Sequence, residues 1–353
     1  MDFKSISNKQ CEWLRGDGPD SDIVISSRIR LARNLKGVPF PHRGETSSNT
    51  ANMKKILDAI EKTDFFRNGI IATMDSLDEL DKHVLFERHL ISREHIANHG
   101  GGAVAISEHQ DLSIMVNEED HLRIQVLKSG FRLDECWKLI DKVDSQLEKH
   151  LDFAYSPSIG YLTACPTNVG TGMRASIMLH LPGLMLMDLI NKVMQAVVKL
   201  GLTVRGFYGE GSDVLGNLFQ ISNQVTLGKS EKDIISSITK VLDLVVEHER
   251  NSRQMLRTKN EERIMDTVGR SYGILTNAHI ISSKETITLL SALRMGMDMG
   301  YISGLTQGSI NELFIVTQPA HLQKMAGQLL DPEIRDMKRA DLIRKNLVKN
   351  KNK

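Results

Sequence analysis

The sequence predicts an α+β chain in which paired strands alternate with amphipathic helices up to about residue 250 and helices then follow almost alone. Three observations predict it. Leu112–Val116 and Leu122–Val126 are apolar runs joined by Asn117-Glu118-Glu119-Asp120-His121, which reads as an antiparallel hairpin with three consecutive acids at its tip. Apolar residues recur at helical spacing over 129–151, where Leu133, Trp137, Ile140, Val143 and Leu147 form one stripe. Strand patterns vanish near residue 250, which divides the chain into a mixed domain, 1–250, and a helical domain, 251–353.

In chain order, a short helix around Cys11-Glu12-Trp13-Leu14 closes at Gly16-Asp17-Gly18-Pro19, and a strand begins at Ile23-Val24-Ile25. Arg28 and Arg30 alternate within it, so they share one face, where two guanidiniums converge on one phosphate or else form a solvated basic face. Residues 50–62 and 76–98 have helical periodicity, and His99-Gly100-Gly101-Gly102 is a glycine turn, since no G-x-S-x-G elbow accompanies it. After the helix at 129–151 come strands at 159–164 and 175–181, a helix at 184–200, a strand at 202–208, a second glycine loop, Gly209-Glu210-Gly211-Ser212-Asp213, and a strand at 217–227. Ser230 with Asp233 forms a capping box for a helix through Val246, and helices at 263–268, 284–299, 311–317 and 332–347 follow.

At 353 residues the chain is long enough for two cores, and Lys+Arg of 45 against Asp+Glu of 44 leaves a net charge of +1, so no global field draws it to nucleic acid or membrane. Three cysteines at irregular spacing support neither a disulfide framework nor a metal site, and a reducing cytoplasm is expected. The first residues lack a signal-peptide core, and the most apolar run, 177–200, is interrupted by His180, Pro182, Asp188, Asn191 and Lys192, so a soluble protein is expected.

The densest chemistry lies in Cys165-Pro166-Thr167-Asn168-Val169-Gly170-Thr171-Gly172-Met173-Arg174-Ala175, which combines a thiol, two glycines that let backbone N–H groups approach an anion, and an arginine. Gly170 to Ala175 formally matches a dinucleotide fingerprint, but an alternating strand follows and Asp188 comes too early for the ribose acid. Gly228-Lys229-Ser230 is no phosphate loop, because Asn223 stands where the first glycine belongs. Five arginines (Arg28, Arg30, Arg123, Arg174, Arg205) in strands beside loops, with Glu119 and Glu210 at loop tips, suit phosphoryl transfer to a cation. Arginines and Mg²⁺ hold nucleotide phosphates, while carboxylates hold and deprotonate a positive nucleophile.

Four motifs in register, Ser26 to Arg30, Asn117 to Arg123, Cys165 to Ala175 and Arg205 to Glu210, make the chain resemble the phosphagen (guanidino) kinase family. The resemblance implies an antiparallel sheet flanked by helices of the glutamine-synthetase-like type, with ATP and Mg²⁺ as cofactors. It implies an ATP site from Ser26-Ser27-Arg28-Ile29-Arg30, His89, Arg123, Arg174-Ala175-Ser176-Ile177-Met178 and Arg205-Gly206-Phe207-Tyr208-Gly209-Glu210. It makes Glu119 and Glu210 the guanidinium-binding carboxylates and Cys165 the reactive thiol beside them. Met178 stands in place of a family histidine near adenine, and Tyr208 and Gly211 in place of a basic residue and a histidine.

The first arginine motif arrives by residue 28, so the helical domain that precedes it in small-molecule guanidino kinases is expected to be absent and the substrate end open. With the helical C-terminal part, this resembles the bacterial branch that phosphorylates arginine side chains in proteins. Arg335-Asp336-Met337-Lys338-Arg339-Ala340 matches that branch's phosphoarginine pocket, and Arg335 and Arg339 lie one helical turn apart. The resemblance further implies marking of proteins for Clp proteolysis, inactivation of a heat-shock repressor, a zinc-binding activator, a Clp ATPase partner and a homodimer formed through the C-terminal domain. A kinase for free arginine and a non-catalytic phosphoarginine-binding adaptor are the alternatives.

Overall fold

The computed structural model describes residues 9–97, 100–206 and 215–349. Its centre is an antiparallel sheet of eight strands: β1 (Val24–Arg33), β2 (Ile70–Thr73), β3 (Ala103–Ile106), β4 (Leu112–Val116), β5 (Leu122–Ser129), β8 (Met173–His180), β9 (Leu202–Gly206) and β10 (Leu218–Asn223). They run in the order β2-β3-β4-β5-β1-β8-β10-β9, and a two-residue pair, β6 (Tyr155–Ser156) with β7 (Gly160–Tyr161), stands apart.

Side-chain alternation divides the sheet into two unlike faces. On one, Ile29, Leu31, Ile124, Val126, Ala175, Ile177, Phe219 and Ile221 pack with the helices Thr46–Glu61, Leu133–Glu148 and Glu231–Lys259 into the main core. The opposite face carries the arginines. Its β2–β4 end is covered by a small apolar cluster from Leu85, Leu90 and Ile91, and its other end by the C-terminal helices, whose Leu313, Phe314 and Ile315 cluster with Leu127, Met178 and Leu218 of the sheet.

Several expected elements differ, each for a local reason. The single helix over 76–98 is two, Glu79–Glu87 and Arg93–Ile96, because His89 takes φ of 59° and turns Leu90 and Ile91 under the sheet. Asp78 caps the first and Ser92 the second through their side-chain oxygens. The helix over 184–200 breaks likewise at Asp188, φ 56°, into Pro182–Leu186 and Ile190–Lys199. The strand over 159–164 shrinks to β7, and β2, β3 and the helix Pro319–Ala326 carry no pattern long enough to stand out in the sequence. The capping box forms as expected, with Ser230 accepting from the Asp233 N–H, but its helix runs unbroken from Glu231 to Lys259, across residue 250.

Candidate active site

Strand register builds the site. Arg30 of β1 lies opposite Arg174 of β8 and Gln125 of β5, Arg28 opposite Ser176, Ser26 opposite Met178, and Arg205 of β9 opposite Gln220 of β10. Arg28, Arg30, Arg123 and Arg205 thus line one cleft of about 180 Å³, with His89 at its wall. The arginine pattern is therefore a converging cluster and not a solvated face.

Register also sorts the expected ATP-binding stretches. Ser27, Ile29, Ala175 and Ile177 point to the core face: Ser27 Oγ donates to Gly130 O at 2.8 Å, and the other three sit in the main core. Their side chains face the core and not the cleft, so only their backbone is turned toward the arginine face. Gly206 ends β9, and Phe207, Tyr208, Gly209 and Glu210 lie outside the described residues.

The arginines crowd one another. Burial first, then the charges of Arg123, Arg174 and Arg205, pull Arg28 down to about 9. Burial and the charges of Arg28, Arg123 and Arg174 pull Arg30 well below its ordinary value. A guanidinium stays protonated at neutral pH, so this depression reflects buried charge and mutual repulsion, both of which a bound polyanion offsets. Arg28 is steered by Gln220 Oε1, which accepts from it at 2.8 Å, whereas the buried Nε of Arg30 has no hydrogen-bond partner among the described residues. An orphaned buried donor in a cationic cleft fits a phosphate oxygen.

At the hairpin tip the three acids have three different jobs. Glu118 accepts from Arg123 at 2.6 Å and from Ser92 Oγ at 2.5 Å. Burial would raise its carboxyl, but the Arg123 charge and these hydrogen bonds outweigh burial and hold it at about 2. Asp120 is buried and accepts from Asn34 Nδ2 at 2.6 Å and from the Ala164 N–H at 2.7 Å. Glu119 is the exposed one, its carboxyl raised by burial and then by the neighbouring charges of Asp120 and Glu118. Sequence reasoning found Glu119 but missed the other two as site builders. An acid that anchors a remote loop leaves no local signal.

The Asp120–Ala164 bond places Cys165 one residue from the hairpin that carries Glu119. Cys165 is half-buried, with Sγ 3.0 Å from Thr167 Oγ1. The glycines of its loop work otherwise than expected. Gly170 N–H donates to Tyr161 O and Thr171 N–H to Thr226 O, so these amides hold the loop to its neighbours and do not face an anion. Gly172, φ 64°, is required because a Cβ there would lie 2.6 Å from Ala32 O.

In the C-terminal part, Arg335 is half-exposed while Arg339 is buried. Arg339 Nε donates to Thr317 O at 2.8 Å, and its Nη1 to Ile281 O at 2.9 Å and to Asp336. Ala340 is buried beside Ile343. Two of the three guanidinium nitrogens of Arg339 are thus engaged by the fold, and Asp336 meets its guanidinium.

Residues 51–252 match the catalytic-domain family described as ATP:guanido phosphotransferase, C-terminal catalytic domain, and residues 261–353 match that described as Protein-arginine kinase McsB C-terminal domain. The protein-arginine kinase of Halothermothrix orenii is 48% identical over 348 residues, 98% of this chain and 99% of that one. That of Bacillus cereus is 46% identical over 360 residues, 100% of both. Among solved structures, a lombricine kinase superposes with a TM-score of 0.59 at 22% identity, covering 69% of this chain and 70% of that one, which shows a shared fold. A duplicated taurocyamine kinase from Schistosoma mansoni, with bound transition-state-analogue components, gives 0.60 at 25% identity, covering 65% of this chain and 33% of that one.

Proposed function

The chain belongs to the ATP:guanido phosphotransferase family and is a protein-arginine kinase, and from that premise we propose how its residues divide the reaction. ATP lies with its phosphates on Arg28, Arg30, Arg123, Arg174 and Arg205, which match the charge that spreads over the moving phosphoryl group. The observation that carries this reading is the crowded arginine face running to a carboxylate-bearing hairpin tip.

The acceptor guanidinium docks on Glu119, with Glu210, outside the described residues, as the second carboxylate that the family resemblance implies. A protonated guanidinium has no nucleophilic lone pair, so Glu119 removes a proton from the attacking nitrogen as the N–P bond forms and the bond to the bridging oxygen of ADP breaks. The raised carboxyl of Glu119 suits a base. Cys165 lies beside the acceptor and polarises it. Among the described residues no group of three His, Cys, Asp or Glu side chains gathers to hold a metal. A Mg²⁺ ion carried in with the nucleotide would supply charge neutralisation beside these arginines.

Incubation with ATP, Mg²⁺ and either casein or free arginine tests the acceptor: label on casein arginines is expected, and label on free arginine alone would overturn it. Arg335, Asp336 and Arg339 form an allosteric phosphoarginine pocket in this reading, with the half-exposed Arg335 as its outer arm. A C-terminal homodimer is supported by the exposed Met325, Leu329, Ile334 and Met337. A zinc-binding activator, a Clp ATPase, stress-linked marking of proteins for degradation and a cytoplasmic setting complete the proposal. No described helix is long and apolar enough to cross a membrane.

A further inference from the structure

The cleft is not walled by the catalytic part alone. Ile315 and Gln318, within the region that matches the C-terminal family, line the same cleft as Arg28, and Ile315 clusters with Leu127 and Met178 at its apolar end. Along β1 the charge lies at Arg28 and Arg30, and Ser26 marks the opposite end, facing Met178. A nucleotide with its phosphates on the arginines therefore directs its base toward Ser26, Met178 and Ile315. We propose that the C-terminal region completes the base end of the ATP site, with Ile315 packing on the nucleoside and Gln318 forming its edge. This rests on the reading of the cleft as an ATP site.

A buried clasp holds that wall. Glu87 accepts from the backbone N–H groups of Ala320 at 2.8 Å and His321 at 3.0 Å, capping the helix Pro319–Ala326 that follows Gln318. His321 Nε2 accepts from Arg88 Nε at 3.0 Å, which leaves Nδ1 to donate to Glu87 at 2.7 Å. Arg88 leads directly to His89, whose ring meets Trp13 edge-on at 5.3 Å in the cleft wall. Burial, against the raising hydrogen bond and charge of Glu87 and with the help of the Arg88 charge, pulls His321 below its ordinary value, the direction that favours the neutral ring of this bridge. Arg88 and His321, with Glu87 at the cleft wall, are positioning residues: their hydrogen bonds set where Ile315 and His89 stand.

Titrations with ATP and with inorganic tripolyphosphate, both with Mg²⁺, separate base recognition from phosphate recognition. Ile315→Ala should weaken ATP roughly tenfold, the order expected when apolar bulk is removed from a binding pocket, and leave tripolyphosphate unchanged. His321→Ala should do the same, and His321→Gln, which keeps one donor and one acceptor, should restore most of the affinity. Unchanged ATP affinity in Ile315→Ala and in Ile315→Val, or an equal weakening for both ligands, would overturn the proposal. Wild-type protein that bound neither ligand would overturn it together with the ATP reading, whereas the casein assay reads the acceptor and is independent of both.

Discussion

Glu119 and Glu118 are adjacent, yet their surroundings drive them in opposite directions. Glu118 is tied to Arg123 and Ser92 and stays ionised, while Glu119 is raised by burial and then by its two acidic neighbours. Glu119→Gln should therefore lower kcat by roughly 10²–10⁴-fold in a steady-state assay with protein acceptor. A base acts deprotonated and the Glu119 carboxyl is raised, so with Glu119 in the proposed role the acid limb of the kcat profile should lie above the ordinary carboxylate value and disappear in that variant. Glu118 predicts a stability effect instead. Its folded pKa lies below the unfolded 4.5, so its contribution is present above that value and lost as pH falls toward 2. Urea denaturation should show the gap between wild type and Glu118→Gln closing over that interval, and a gap constant with pH would remove the ion pair from the account.

At the scale of elements, the loop Cys165 to Gly172 is held by backbone contacts that only certain residues permit. Gly172→Ala would place a methyl against Ala32 O and Arg33 Nη1, each 2.6 Å from the added carbon, at a positive φ. A loss of about 1–3 kcal/mol is expected by chemical denaturation, with activity falling further because the same turn leads into Arg174. The capping box is a milder case. Ser230→Ala removes the acceptor of the Asp233 N–H and should cost about 1 kcal/mol without changing the KM for ATP.

For the molecule as a whole, the last helix, Pro332–Lys349, is pinned to the helices before it through Arg339. Arg339→Ala strands Thr317 O and Ile281 O and should lower stability by on the order of 3 kcal/mol, read as a fall in Tm, whereas Arg335→Ala should leave Tm nearly unchanged. A phosphoarginine titration is therefore cleanest on Arg335→Ala, where weakened binding is not confounded with a loosened fold. Equal Tm values for the two variants would deny Arg339 its structural role. Thr317 adjoins Gln318, so the helix that carries Arg335 and Arg339 and the wall of the arginine-lined cleft share one hydrogen-bonded segment.

What the sequence by itself determined is whatever local pattern encodes: the 112–126 hairpin, the shared face of Arg28 and Arg30, the Ser230 cap and the motifs that mark the kinase family. Alternation within a strand needs no partner to define its face, and a cap is settled within four residues. Tertiary structure alone decided which arginine faces which, which of the three acids is anchored and which is left exposed, that the Gly170 N–H is spent on Tyr161 O, and that Gly172 leaves no room for a Cβ beside Ala32 O. It also decided that Glu87 and Arg88 meet His321 from more than two hundred residues away. Such pairings depend on strand order and on burial. These arise only when the whole chain excludes water, and no window of sequence contains them.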